Sequence, residues 1–178
     1  MRLVDFLLAL IALIVLLPFM IPILAFLSVT GDRKVFYYQK RKGKGGRDFF
    51  LIKLSTMQKD SPSSGMGSIT VKGDPRVKFF GHFLRRWKIN ELPQVVNILW
   101  GDLSVVGPRP LIEGTTGYKA YSDNVRAKIF SNRPGLTGIG SIVFRDEEAI
   151  LSKVEDPHHF YVQKIAPYKA DLELWYFE

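Results

Sequence analysis

From Phe6 to Thr30 the chain carries no charged residue. In a helix rising about 1.5 Å per residue, a run of that length matches the roughly 30 Å hydrocarbon core of a bilayer. It is too long for a cleaved signal peptide, and no clear small-x-small cleavage site follows it. The run is not uniform, because Pro18 and Pro22 lie near its middle. Each removes an amide donor and crowds the carbonyl four residues back, so a kink or break is expected there, with Pro18 as the break point. Arg2 and Asp5 sit close to the start, and a charge at the bilayer centre costs about 2.5–3.5 kcal/mol, so both should stay near a surface. The cluster Arg33, Lys34, Lys40, Arg41, Lys42, Lys44 and Arg47 follows at once and places that end in the cytoplasm. Two geometries remain open on these residues: one spanning helix, or a broken helix that enters and leaves at the same face.

The other residues read as one domain of ordinary size, giving a division into 1–30 and 31–178. The net charge of +8 suits a phosphate-rich partner: nucleic acid, anionic lipid or a nucleotide. The absence of cysteine excludes a disulfide scaffold, a thiol nucleophile and a Cys-ligated zinc. Three histidines are too few and too badly spaced for a histidine metal site, and His158-His159 beside Asp156-Pro157 reads as a solvated turn. Val35–Tyr38 and Asp48–Leu54 read as strands about a Gly43–Gly46 turn, a basic hairpin. Residues 61–67 read as a flexible loop. Phe79, Phe80, Phe83, Leu84 and Trp87 recur at helical spacing among basic residues, so an amphipathic interfacial helix is expected. A second helix should start at Asn90 as N-cap, with Pro93 in its first turn and Gly101 at its end. Helices are also expected over 147–154 and 160–178, the latter broken near Pro167.

Several residues suit phosphate chemistry. In Gly107-Pro108-Arg109-Pro110 two successive proline constraints leave Arg109 little freedom, and a guanidinium binds phosphate bidentately. Arg133-Pro134-Gly135 repeats the device on an expected type II turn, and Arg145 follows on a polar stretch. Arg109, Arg133 and Arg145 are therefore candidates to converge on a pyrophosphate. Glu91, in a first helical turn, is placed to meet both phosphate and a magnesium ion, since Mg²⁺ takes one or two carboxylates plus phosphate oxygens.

The ordered set Asp5, Gln39-Lys40-Arg41-Lys42-Gly43, Asp74-Pro75-Arg76, Leu84-Arg85, Glu91-Leu92-Pro93-Gln94, Gly101-Asp102-Leu103-Ser104, Val106-Gly107-Pro108-Arg109-Pro110 and Arg133-Pro134-Gly135-Leu136-Thr137-Gly138 resembles the bacterial sugar transferase family, the monotopic polyprenyl-phosphate phosphoglycosyl transferases. The resemblance runs from about Asp5 to the carboxyl end. It implies a mostly helical α/β (α+β) fold: a re-entrant amino-terminal membrane helix and a compact cytosolic domain of short helices around a small sheet. The implied reaction moves a sugar 1-phosphate from a UDP-sugar to undecaprenyl phosphate, releases UMP and starts assembly of a surface glycan such as an exopolysaccharide. The implied cofactor is Mg²⁺, held by Glu91, and the implied location is the cytoplasmic face of the bacterial inner membrane. Expected partners are the two substrates, membrane lipid and a second copy in a homodimer, with no nucleic acid.

The chain departs from the family pattern in three places. Where the family carries its nucleophilic Asp stands Asn90, an amide with far weaker nucleophilicity. After the hairpin, Lys53 and Met57 match, but Ser55 replaces a second base. The relatives' further carboxyl-terminal amphipathic segment, with its Asp, is expected to be missing after Glu178. Asn90 and Glu91 are thus the candidate catalytic pair, with Lys53, Arg109, Arg133 and Arg145 as candidate phosphate ligands. Two outcomes follow: an active transferase using Glu91 or direct attack by the lipid phosphate, or an impaired member that binds substrate or scaffolds an assembly.

Overall fold

The apolar run forms one helix, α1 (Arg2–Val29), in the computed structural model, which describes residues 2–30, 33–58 and 73–177. Pro18 and Pro22 lie inside α1 on its exposed side, and the chain stays helical through both. The opposite side explains why. Ala9, Ala12, Leu13 and Leu16 pack with Leu51, Val95, Ile98 and Leu103. Further along, Leu16, Met20, Ile23, Leu24 and Leu27 pack with Leu54, Leu84 and Phe80. The 3–4 residue spacing of that stripe is the helical period, and contacts before and after each proline hold α1 along the rest of the molecule. From Ala9 to Leu27 the packed stripe is about 27 Å long. The amino end is pinned by polar contacts: Val105 donates its main-chain N–H to Asp5 Oδ1 at 3.1 Å, and Asp5 is buried.

Strands β1 (Phe36–Lys42) and β2 (Asp48–Leu54) form the expected antiparallel hairpin, in register Tyr37 with Lys53, Gln39 with Leu51 and Arg41 with Phe49. Gly45 and Gly46, both left-handed, make the turn. Strand β1 reaches farther than expected, because the bases at its end pair with acids: Lys40 and Lys42 with Asp48, and Lys42 with Glu113. The expected loop over 61–67 lies outside the described residues.

Helix α2 (Phe79–Arg86) leads to Lys88, one of two described non-glycine residues with positive φ. The turn there sends the chain into a short 3₁₀ segment, Ile89–Glu91, followed by α3 (Gln94–Trp100), which Gly101 ends in left-handed geometry. Asn90 is therefore not the N-cap of α3. Pro93 holds that position, since the 3₁₀ turn intervenes and Asn90 makes no capping bond. Asn97, wholly buried on α3, ties this helix to the hairpin: it accepts from Ile52 N–H at 3.0 Å and donates to the Phe50 carbonyl at 2.8 Å.

A second small sheet joins β3 (Ser104–Val106) and β4 (Gly135–Thr137) in parallel. The crossover between them carries α4 (Thr116–Lys119) and α5 (Asp123–Ser131), capped by Thr115 and Ser122. Gly135 is not the left-handed corner of a type II turn. It is extended and buried because Gly107 lies against it, too close for a side chain. The remaining helices are α6 (Ile139–Val143), α7 (Glu147–Leu151), α8 (Pro157–Phe160) and α9 (Ala166–Trp175). A π turn, Tyr161–Ile165, bridges α8 and α9, so the path continues into Pro167 without a break. Asp156 caps α8 by accepting from His159 N–H at 2.9 Å, the ordered form of the expected turn. The fold is thus mostly helical with small sheets and an apolar amino-terminal helix.

Candidate active site

Where the hairpin, the start of α3 and the loop after β3 meet, a narrow cleft is lined by Arg41, Leu51, Lys53, Glu91, Gln94, Arg109 and Pro110, with Gly135 and Leu136 at one side. Strand alternation puts Arg41, Leu51 and Lys53 on one face of the hairpin. Tyr38, Phe50 and Ile52 line the other face, with Trp100. The turn at Lys88 and the 3₁₀ segment bring Glu91 to the cleft and bury Asn90 beside it.

Arg109 is delivered by a braced loop. Gly107 N–H donates to the Thr137 carbonyl and Gly135 N–H to the Pro108 carbonyl, each at 2.9 Å. Arg41 closes the loop by donating from Nη1 to the Pro110 carbonyl at 2.7 Å. Its Nε and Nη2 both reach Gln39 Oε1, so the guanidinium is fastened at both ends.

The charges are concentrated, and Arg41, Lys53 and Glu91 are largely shielded from water while Arg109 is exposed. Lys53 Nζ lies 3.3 Å from Glu91 Oε1. Burial lowers the Lys53 pKa to about 8, with Arg41 and Arg109 pushing the same way against the pull of Glu91. Burial also lowers Arg41, with help from Arg109, to about 9, so it stays protonated at neutral pH. For Glu91, burial acts upward, but Lys53, Arg109 and Lys88 outweigh it and hold the carboxyl at about 2. At neutral pH the cleft therefore presents three cations and one carboxylate. The surplus positive charge in a low-dielectric pocket calls for an anionic ligand.

Two buried polar atoms at this place lack hydrogen-bond partners among the described residues: Asn90 Oδ1 and Gln94 Nε2. Such atoms are uncommon in folded proteins and mark places where a ligand, ion or water completes the set.

Of the residues expected from sequence, Lys53, Glu91 and Arg109 share the cleft, and Asn90 is buried next to it. The lining does not include Arg133 or Arg145. The Arg133 turn contributes Gly135 and Leu136 instead, and Arg145 is exposed at the α6–α7 junction. Arg41 and Gln94 also line the cleft, beyond the residues expected from sequence. Both lie within the family-like motifs Gln39–Gly43 and Glu91–Gln94, but only the hairpin register and the turn at Lys88 show that they face inward.

The bacterial sugar transferase family model matches residues 1–176. The chain belongs to that family. Among its relatives, a UDP-glucose:undecaprenyl-phosphate glucose-1-phosphate transferase of Xanthomonas campestris is 36% identical over 135 residues, covering 75% of this chain and 28% of that protein. The exopolysaccharide production protein ExoY of Sinorhizobium fredii is 32% identical over 170 residues, covering 88% and 74%. A UDP-N-acetylgalactosamine-undecaprenyl-phosphate N-acetylgalactosaminephosphotransferase of Aeromonas hydrophila is 32% identical over 176 residues, covering 96% and 39%. The chain thus spans well under half of two of these relatives and about three quarters of the third. As a sugar transferase with a long, apolar, mostly outward-facing first helix, it is membrane-associated.

Proposed function

We propose that this sugar transferase moves a sugar 1-phosphate from a UDP-sugar to undecaprenyl phosphate, releasing UMP, at the cytoplasmic face of the bacterial inner membrane, as a first step of surface glycan assembly. The observation that carries the reading is the cleft in which Arg41, Lys53 and Arg109 surround Glu91 beside the membrane helix. A donor diphosphate is the ligand such a cleft suits: its charge matches the surplus, and Arg41 and Lys53 are held before it arrives. The packing of α1 along the domain supports a helix with both ends at one face, because a crossing helix would pull Leu51, Leu54 and Leu84 into the bilayer with it.

Glu91 is the one carboxylate on the cleft lining, and it is ionised at neutral pH. In the proposed route Lys53 leaves Glu91 for the donor phosphates. A Glu91 carboxylate oxygen then attacks the sugar-linked phosphorus. The bond from that phosphorus to the UMP oxygen breaks, and UMP leaves with the electron pair. An oxygen of the lipid phosphate next attacks the same phosphorus and returns the Glu91 carboxylate. Arg41 and Arg109 steady the charge that collects on the phosphoryl oxygens, while Asn90 contributes no charge.

The residues fit a magnesium ion in donor type. Mg²⁺ takes few protein oxygens and completes its shell with substrate phosphate and water. The Glu91 carboxylate and the unpartnered Asn90 Oδ1 are oxygens on adjacent residues, and the described residues hold no cluster of three acidic, histidine or cysteine ligands. Bound there, the ion would supply Lewis-acid charge to the diphosphate.

UMP release tests the proposal, with the purified chain in detergent, Mg²⁺ and a panel of UDP-sugars. The covalent route predicts up to one equivalent of UMP without lipid and turnover with it. Turnover that needs the lipid from the first equivalent refutes the Glu91 intermediate in favour of direct attack. No UMP in either case, with Asn90→Asp gaining it, establishes the second reading that Asn90 favours: a member that binds substrate or scaffolds without turnover.

A further inference from the structure

Gln94 is 3% exposed, lines the cleft and leaves its Nε2 without a partner among the described residues. It lies one helical turn after Asn90 and shares the lining with Lys53, Glu91 and Arg109. A side chain kept only for packing would be apolar or fully bonded, because burying an unpaired amide donor destabilises the fold. The surrounding charge decides what would pair with it. Three of the four charged groups on the lining are cations, which cannot accept, and the one carboxylate, Glu91, pairs with Lys53 and makes no bond to Gln94 Nε2. The missing partner is then an acceptor on an anionic ligand.

We propose that Gln94 is a substrate-binding residue whose carboxamide N–H donates to a phosphoryl oxygen of the donor diphosphate. This rests on the nucleotide-sugar reading above and adds to it a neutral donor among the cations. Such a donor orients a phosphoryl oxygen without raising the positive charge that repels Lys53 and Arg109 from each other.

An orphaned donor has a signature that a structural residue lacks: removing it weakens ligand binding without loosening the ligand-free fold. Gln94→Met keeps the length and shape and deletes the donor. In the full chain in detergent, UDP affinity by calorimetry is expected to fall tenfold or more, since the lost bond is to a charged acceptor. The Tm without ligand is expected to stay equal or rise. A Gln94→Met protein that binds UDP as tightly as wild type overturns the proposal. So does one that loses affinity only together with a lower ligand-free Tm, the pattern of a residue satisfied internally or by water. Should Gln94→Met not fold, Gln94→Glu keeps size and polarity while exchanging donor for acceptor, and unchanged UDP affinity in it overturns the proposal equally. If wild type fails to bind UDP, the nucleotide reading fails. Inorganic pyrophosphate, titrated into the same two proteins, then tests Gln94 separately, with equal affinities counting against it.

Discussion

Lys53 offers a test in which activity and stability should move in opposite directions with pH. Its ammonium is buried among Arg41 and Arg109, and its pKa falls from 10.5 to about 8. The ratio kcat/KM reports ionisations of the free enzyme. A donor diphosphate is fully ionised over this range, so the first cleft charge lost on raising the pH is that of Lys53, about a unit before Arg41. One pH unit above its pKa about nine tenths of the charge is gone, and kcat/KM should fall about tenfold per unit thereafter. Stability takes the other sign. The folded pKa lies below the ordinary one, so between about pH 8 and 10.5 the unfolded chain binds more protons, and the fold gains as pH rises. Lys53 by itself should therefore raise Tm across the window in which activity disappears. In Lys53→Arg the guanidinium at position 53 stays charged, and the alkaline limb should move up to about pH 9, where Arg41 gives up its proton. The assay is initial-rate UMP release at low donor from pH 6 to 10, with Tm recorded in the same buffers. A limb near pH 8 that persists in Lys53→Arg refutes the reasoning. Equally, a wild-type Tm that collapses in step with activity would mean the limb is unfolding.

Three further outcomes are expected. Glu91→Gln leaves Lys53 buried without its partner, which costs about 3–5 kcal/mol when a buried pair is broken. Because the Glu91 pKa is depressed to about 2, that Tm deficit should be full above pH 4.5 and vanish as pH falls through 2. Asn97→Ala removes both bonds to β2, with an expected loss of about 2–4 kcal/mol and a Tm lower by roughly 5–15 °C; an unchanged Tm would show that α3 is held to the hairpin by apolar contact alone. Gly107→Ala would set a methyl group 2.7 Å from the Arg133 carbonyl, forcing β3 and β4 apart and displacing Arg109, so the KM for donor should rise at least tenfold while α-helical circular dichroism is kept.

The hairpin was legible because alternation and a glycine turn are local signals. Helices α2 and α3 were legible from aromatic periodicity and an apolar body ended by Gly101. The short strands β3 and β4 were not, because each has three residues and exists through the close approach of Gly107 and Gly135, which are distant in sequence. The same limit applies in the cleft. Proline constraints on Arg109 and Arg133 act on the backbone and say nothing of where a side chain goes: Arg133 does not line the cleft, and the type II turn expected after it is extended strand instead. Arg41 was visible in a basic motif, but its role depends on pairing with Phe49, which aligns it with Leu51 and Lys53. Asn90 has the chemistry of a helix cap; a left-handed residue two positions earlier makes it a buried amide instead.

The stripe from Ala9 to Leu27 makes the membrane segment an internal wall of the catalytic unit. An anchor of the ordinary kind is exchangeable, since any apolar helix of the right length will do. Here an exchange would take away the α1 side chains packed around Leu51, Leu54, Leu84 and Val95, so a chimera with a foreign helix should be unable to assemble the cleft. Trimming the helix to obtain a water-soluble enzyme should fail for the same reason. The outward side of α1 is free to drift to any apolar residue that suits the lipid, while the inward side is held to the shape of the domain, including the small residue at Ala9. Sequence change in this helix should therefore be one-sided, with the tolerant side tracing the lipid boundary.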